Sequence, residues 1–458
     1  MATKINVRSP YFVKATAETG TLSSAVMSLY IYDGILTTNK GTVKYTIEKT
    51  ALSGTDYVVF EISELVRDYL DLEFNGIYES STSPEVDPVR WVESDIVITK
   101  TESGTATSTT SNKLVDTAGQ FTANVKVGDI VSNTTDSTTA SVNAIDSNTI
   151  LSLSADIMAS GEAYVIKQSS ASQSGLDTNY IAFDGYGYFE EGVNPELSRT
   201  LLQSNNTIFR VNDFNTRVPV FTEDTSSVSF LYKGEVKRVQ AISTSTNTNA
   251  QIDYVTVSGS DNTDSYKQRV LDDGGTFEEN SLLDSFLNAV DDGLIDELYI
   301  NSSSGTEVVK IKTFPCSKYE TIKVTFVNKF GALQDFYFVL KSIESTNVKS
   351  EQYKRSIFSE ARLSYKTYQH QKQLFHTNGN DTIKLNTDYI DEENNKVIEE
   401  LMLSEQTWIT RITDEEELIL PVMPKTKSVT YKTSVNDRLV QYTIEFDMAF
   451  DKINNIRQ

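Results

Sequence analysis

Residues 440–450 read VQYTIEFDMAF, and every even position is apolar: Val440, Tyr442, Ile444, Phe446, Met448 and Phe450. The odd positions carry Gln441, Thr443, Glu445, Asp447 and Ala449. Side chains of an extended chain point alternately to opposite faces, so this period of two predicts a strand with one buried and one wet face. The preceding residues 429–435, VTYKTSV, alternate as well, and Asn436-Asp437 between the two runs is a turn signal. The pattern predicts a closing hairpin, with the chain ending inside a sheet. It sets an expectation for the whole molecule: a β scaffold built for contact.

At 458 residues the chain exceeds what a single core supports, and about three domains are expected. Residues 1–98 read as strands with one short helix, and Trp91 opens the strand run at 91–98. Composition shifts at 101–112, TESGTATSTTSN, and again at 168–174, two polar runs. Between them lie short alternating strands punctuated by Gly128-Asp129 and Asp146-Ser147-Asn148. Polar seams of this kind cross few contacts, so 101–174 is expected as a small inserted β-barrel. The host, 1–100 plus 175–206, is expected as a discontinuous β-sandwich. Residues 207–345 read as a second β domain with one helix, spaced by Leu282, Phe286, Ala289 and Val290 before Gly293. Residues 346–458 read as a third, with a linker, strands, a helix near 394–403 and the closing hairpin. The fold class expected is mainly β: several β-sandwich or β-barrel modules in series with a few short helices.

The 64 acidic and 41 basic residues leave a net charge of −23, a field that repels phosphate backbones and argues against nucleic acid as a partner. Cys316 is the only cysteine, so no intrachain disulfide and no thiolate metal site is expected. The first residues, MATKINVRSPYF, lack the apolar core of a secretory signal, and no apolar run approaches the ~20 residues of a membrane span. Synthesis in the cytoplasm without membrane insertion is the expectation.

Residues suited to catalysis are sparse. His370 and His376 are the only histidines, and no cluster of further ligands surrounds them in sequence. The acidic pairs Glu190-Glu191, Asp291-Asp292 and Glu392-Glu393, and the run 414–417, read as solvated turns or helix starts. A glycosidase-type acid pair remains open on residue type alone. The segments 261–264 and 378–381 offer oxygen ligands without calcium-loop spacing and read as hairpin tips. Cys316 reads as a buried small apolar residue. No catalytic residue, metal ligand or cofactor is assigned. The tyrosine-rich run 182–189 is the candidate contact surface, with Phe183, Tyr186, Tyr188 and Phe189 as its members, because tyrosine offers large area at low entropic cost. The same run also reads as a core strand kinked at its glycines.

Two segments carry a resemblance: 323–338, KVTFVNKFGALQDFYF, with two aromatic strands about an Asn-x-x-Gly turn, and the ending from Tyr431 onward. Both resemble structural proteins of tailed bacteriophages, especially tail and baseplate components, and the module at 113–167 is similar to small modules inserted in phage virion proteins. The resemblance implies a non-enzymatic virion part, assembled in rings with copies of itself and with neighbouring virion proteins. Fibre signals are lacking: there is no Gly-X-Y repeat and no long heptad stretch. Two rival expectations stand beside it, a carbohydrate-binding receptor protein that contacts host surface glycan and a glycan depolymerase.

Overall fold

The computed structural model describes residues 3–17, 21–33, 40–52, 55–74, 85–86, 89–177, 180–195, 199–211, 214–222, 227–232, 235–241, 251–257, 297–302, 305–314, 318–413, 416–428 and 439–453. The expected helix at 282–293, the strand run 429–435, the acidic segment 261–264 and Cys316 lie outside them. The fold is mainly β, with several separate sheets and few short helices. The chain divides into two compact units, Met1–Asp71 with Asp87–Leu197, and Leu72–Val86 with Ser198–Gln458.

The first unit is built on the 17-residue strand Val89–Thr105. It pairs antiparallel with Thr21–Tyr32, Tyr180–Phe183 and Ala163–Ser174, and Thr3–Asn6 adds in parallel to Tyr180–Phe183. Alternation decides which face is dry: Ala25, Met27, Leu29 and Ile31 are buried, with Met27 opposite Ile96 and Ala25 opposite Ile98. The pair Phe12–Thr16 and Tyr57–Glu61 and the short helix Ser63–Arg67 contribute Val13, Phe60 and Val66 to the same core.

Residues 106–166 have a core of their own, centred on Leu114, Phe121, Val131, Leu151, Tyr164 and Ile166. Its ladder runs from Ala163–Ser174 through Ile130–Asn133, Thr138–Ser147, Ile150–Leu153 and Lys113–Val115 to Ser108–Thr110. The sheet stays open, so the expected barrel is corrected to an open sheet with its own core. The two polar runs are not seams either. Thr101 to Thr105 pairs with Lys167 to Ala163, and Asp95 to Ile98 pairs with Ser174 to Ala171, so the host sheet continues into the module. Backbone pairing needs no apolar side chain, and threonine suits a strand, which is why Ser/Thr-rich sequence concealed two paired strands. Gly104 marks where this strand crosses the core. A Cβ there would lie 2.4 Å from Asp116 Oδ2 and 2.6 Å from the Tyr164 hydroxyl. Those two groups share a buried 2.7 Å hydrogen bond, so a methyl group would prise them apart.

In the second unit a seven-stranded sheet runs in the order Leu333–Phe338, Ile322–Val327, Thr407–Thr413, Glu416–Pro424, Thr443–Met448, Lys372–Asn386, Ile343–Lys354. It takes strands from both sides of the boundary expected at 345/346, and Ile343–Lys354 runs across that position. The boundary is therefore corrected: the aromatic strands at 322–338 need the strands after 372 to cover them. The helix Asn395–Leu403 inserts Val397, Ile398 and Leu401 against Phe326, Phe336, Phe338 and Phe446. The turn expected after Val327 is an Asx turn. Asn328 Oδ1 accepts from the Phe330 and Ala332 amides, at 2.9 and 3.2 Å, and Gly331 takes φ +72°. The closing strand Thr443–Met448 buries Ile444, Phe446 and Met448, as its alternation requires, while Phe450 is exposed. Its neighbours among the described residues are Lys372–Asn386 and Glu416–Pro424, and the hairpin expected with 429–435 falls on residues outside the described ones.

Among the described residues, one ion pair of this unit is buried on both sides. Arg217 Nε is 3.6 Å from Asp335 Oδ2, with both side chains essentially buried, and Asp335 also accepts from Thr325 Oγ1 at 2.7 Å and the Arg217 amide at 3.0 Å. The guanidinium lies 4.9 Å from the Phe74 ring centroid and 5.7 Å from that of Tyr254. Removing one member of a buried pair strands the other's charge in a medium that cannot solvate it. Asp335→Ala is expected to lower unfolding stability by about 3–5 kcal/mol, read by urea denaturation monitored through Trp408 fluorescence; a loss below about 1 kcal/mol, the range of exposed pairs, would contradict this account.

Candidate functional site

The tyrosine-rich run divides into a root and a tip. Ala182 and Phe183 belong to the strand Tyr180–Phe183 and are buried, so the structure places Phe183 in the core. Beyond it residues 184–195 form a loop held by groups far away in sequence. Asp184 accepts two hydrogen bonds from Arg8, at 3.0 and 2.6 Å, and lies 3.5 Å from Arg67 Nε. The Gly187 amide donates to Ser9 Oγ at 2.8 Å. Asn194 clasps Phe12, accepting from its amide and donating to its carbonyl, both at 2.8 Å. Gly187 passes so close to Pro195 that a Cβ would meet its ring at 2.3 Å. Tyr186 and Tyr188 are half-buried and stack edge to face at 5.8 Å. Phe189, at the tip, is 99 % exposed, and Val193 beside it is exposed too. The loop is anchored at its base and presents the Phe189 ring wholly to solvent, the geometry that a contact surface would need.

The second surface lies in the other unit. All 12 residues of Ile343–Lys354 are exposed. Among the described residues, Lys372–Asn386 pairs with Thr443–Met448 through Thr382 to Asn386 only, and its outer part pairs with Ile343–Lys354 alone. Residues 452–453 still touch Asn378 and Gly379, so residues 349–377 form the freestanding end of a two-stranded ribbon. The ladder skips a residue between Lys349 and Glu351, where His376 takes φ +49°, a bulge at the root of this end. Tyr353, Phe358, Leu363, Tyr365, Tyr368 and Leu374 are all exposed along it.

The candidates for chemistry are dispersed. His370 and His376 both sit on this exposed ribbon, and the His376 ring lies 5.0 Å from Phe375. Among the described residues no three His, Cys, Asp or Glu side chains gather as a metal ion needs. Glu190-Glu191 and Glu392-Glu393 lie in single 3-10 turns, as expected of solvated acids. Segment 378–381 is not a hairpin tip but part of the strand Lys372–Asn386. There Asp381 accepts from Thr346 at 2.5 Å, and the Lys452 ammonium holds its carboxyl below the ordinary range.

Sequence reasoning missed Glu400. The helix Asn395–Leu403 buries Val397, Ile398 and Leu401, and the same helical spacing turns Glu400 inward. Its carboxyl is fully buried, accepting from Ser204 Oγ and, at 3.4 Å, from the Lys329 amide. Around it Asn205 donates to Asn394 at 3.0 Å and Asn328 donates to the Leu202 carbonyl at 2.6 Å. The arrangement ties the segment 202–205 to the Asn328 turn and the helix, a structural task for polar groups. Burial pushes the Glu400 carboxyl up to about 7, against the two hydrogen bonds that favour its charged form.

No protein-family model matches the chain, and no curated protein matches it. The surfaces therefore speak through their own geometry. For Glu400 the folded state holds the proton more tightly than the unfolded state, so its stabilising contribution is present below the ordinary value near 4.5 and is lost as pH rises through about 7. Glu400→Gln keeps an acceptor and a donor without the titration. Relative to the native chain it is expected to gain stability between pH 5 and pH 8, by up to about 3 kcal/mol, in denaturant titrations at each pH; parallel pH profiles would contradict it.

Proposed function

We propose that this chain is a non-catalytic structural subunit that works by binding copies of itself and neighbouring proteins in an ordered assembly. The setting its sequence resembles is a tail or baseplate ring of a tailed bacteriophage. The observation that carries the reading is the ribbon at 343–386, whose outer end presents apolar side chains on both faces without a core beneath them. A two-stranded ribbon is marginally stable alone, and patches of exposed apolar surface mark places that become covered. The anchored loop ending in Phe189 supports the same reading. It is preorganised, so little ordering entropy would be lost when its tip is buried.

Two outcomes are expected. Purified protein examined by mass photometry across a concentration series forms discrete multiples of the monomer, and negative-stain images show closed rings; a monomer at every concentration would contradict the proposal. Phe189→Ser leaves unfolding stability within about 0.5 kcal/mol of the native chain, because the ring packs on nothing, yet it shifts the assembly midpoint to higher concentration. A variant that loses stability and assembles normally would remove this loop from the contact surface.

A further inference from the structure

The freestanding end of the ribbon differs from the rest of the chain in charge as well as shape. Residues 349–377 carry six of the 41 basic residues, Lys349, Lys354, Arg355, Arg362, Lys366 and Lys372, and two of the 64 acidic ones, Glu351 and Glu360. A segment of net +4 thus projects from a chain of net −23. None of the six basic side chains enters an ion pair among the described residues. Lys354 and Lys372 stand directly opposite each other in the ladder, a like-charge pair that disfavours the isolated ribbon.

Apolar groups are interleaved with these charges on both faces. Tyr353 and Phe375 meet edge to face at 5.7 Å on one face. Leu374, opposite Gln352, lies on the other with Lys354 and Lys372. At the far end Leu363 is 81 % exposed and held at φ +46°, an unfavourable backbone for a leucine that packs on nothing. Tyr368 lies nearby with the Lys366 ammonium 5.4 Å from its ring centroid. Tyrosine and arginine set among apolar side chains are the composition of a binding anchor.

Resting on the structural reading above, we propose that residues 349–377 are a docking arm whose occupant is the acidic surface of a second copy of this chain. Charge complementarity selects that partner. The arm repels other arms and attracts the surface that every copy carries in excess, so the contact joins arm to body rather than arm to arm. Such a contact is heterologous: it leaves one arm and one acceptor surface open at the ends of a chain of subunits, and it closes into a ring when the rotation between neighbours allows. Attraction between the two steers encounter, and apolar burial holds the docked arm. The bulge at His376 bends the ribbon where it leaves the sheet, and so sets the direction in which the arm reaches.

The test uses the full chain and the triple variant Lys354→Glu/Arg362→Glu/Lys372→Glu. The variant keeps a like-charge pair across the ladder with its sign reversed, and all three positions are exposed, so circular dichroism and melting temperature should match the native chain. Sedimentation velocity is expected to show association of the native chain that weakens from about 50 mM to about 500 mM salt, and at least a tenfold weaker self-association of the variant. The labelled variant should still join native chains, since its acceptor surface is intact. If the native chain assembles and the variant assembles equally well, the arm is not the contact and the structural reading stands without it. If the native chain stays monomeric throughout, both fall. If a dT oligonucleotide binds the native arm while self-association is unaffected by the triple change, the occupant is a polyanion and the proposal is overturned.

Discussion

The strand Lys372–Asn386 has two neighbours along one half and one along the other. From Thr382 to Asn386 it is an interior strand, hydrogen-bonded to Thr443–Met448 and to Ile343–Lys354, with Ile383 and Leu385 fully buried. From Lys372 to about Thr377 its only partner among the described residues is the ribbon strand, and both faces are wet. Core and projection are therefore one piece of backbone. The apolar burial that fixes register at the root also fixes the position of the arm, because a one-residue slip would turn Ile383 and Leu385 out of the core. The arm's aim is inherited from the best-packed region of the unit rather than from contacts of its own.

This arrangement has an energetic consequence. Within the sheet, the aromatic cluster of Phe326, Phe336, Phe338 and Phe446 supplies roughly 1.5–3 kcal/mol per buried side chain. The arm gains none of this while free, and it carries the Lys354–Lys372 repulsion and a left-handed Leu363 besides. A segment that stays outside the core at such a cost is expected where another surface completes it. The loop 184–195 follows a different logic, since its bonds with Arg8, Ser9 and Phe12 fix the backbone and leave residues 189–193 uncovered, with Phe189 and Val193 as the large apolar side chains among them. One surface is rigid and small, and the other is long and incomplete.

Much of the scaffold was legible in the amino-acid order. The alternation at 442–448 placed Ile444, Phe446 and Met448 inside, and Asn328 with Gly331 specified the turn between two aromatic strands. What escaped was pairing, because backbone hydrogen bonds leave little trace in side-chain type. The runs 101–112 and 168–174 looked like seams, and the start of 346–458 looked like a linker, since a ribbon wet on both faces has no period-two pattern to read. The tyrosine-rich run 182–189 was conspicuous as a whole. Its division into buried Phe183 and bare Phe189 depends on partners as much as 182 residues away, which no local window contains. Glu400 was readable in principle, as an acid on the apolar face of an amphipathic helix.

Hydrogen–deuterium exchange on dilute and concentrated protein tests the central claim most directly. The account predicts that the amides of 349–377, weakly protected in the monomer because their two-stranded ladder has no core beneath it, gain strong protection as the protein assembles, while those of 382–386 are protected throughout. Assembly that shields other segments and leaves 349–377 exchanging at the monomer's rate would contradict it.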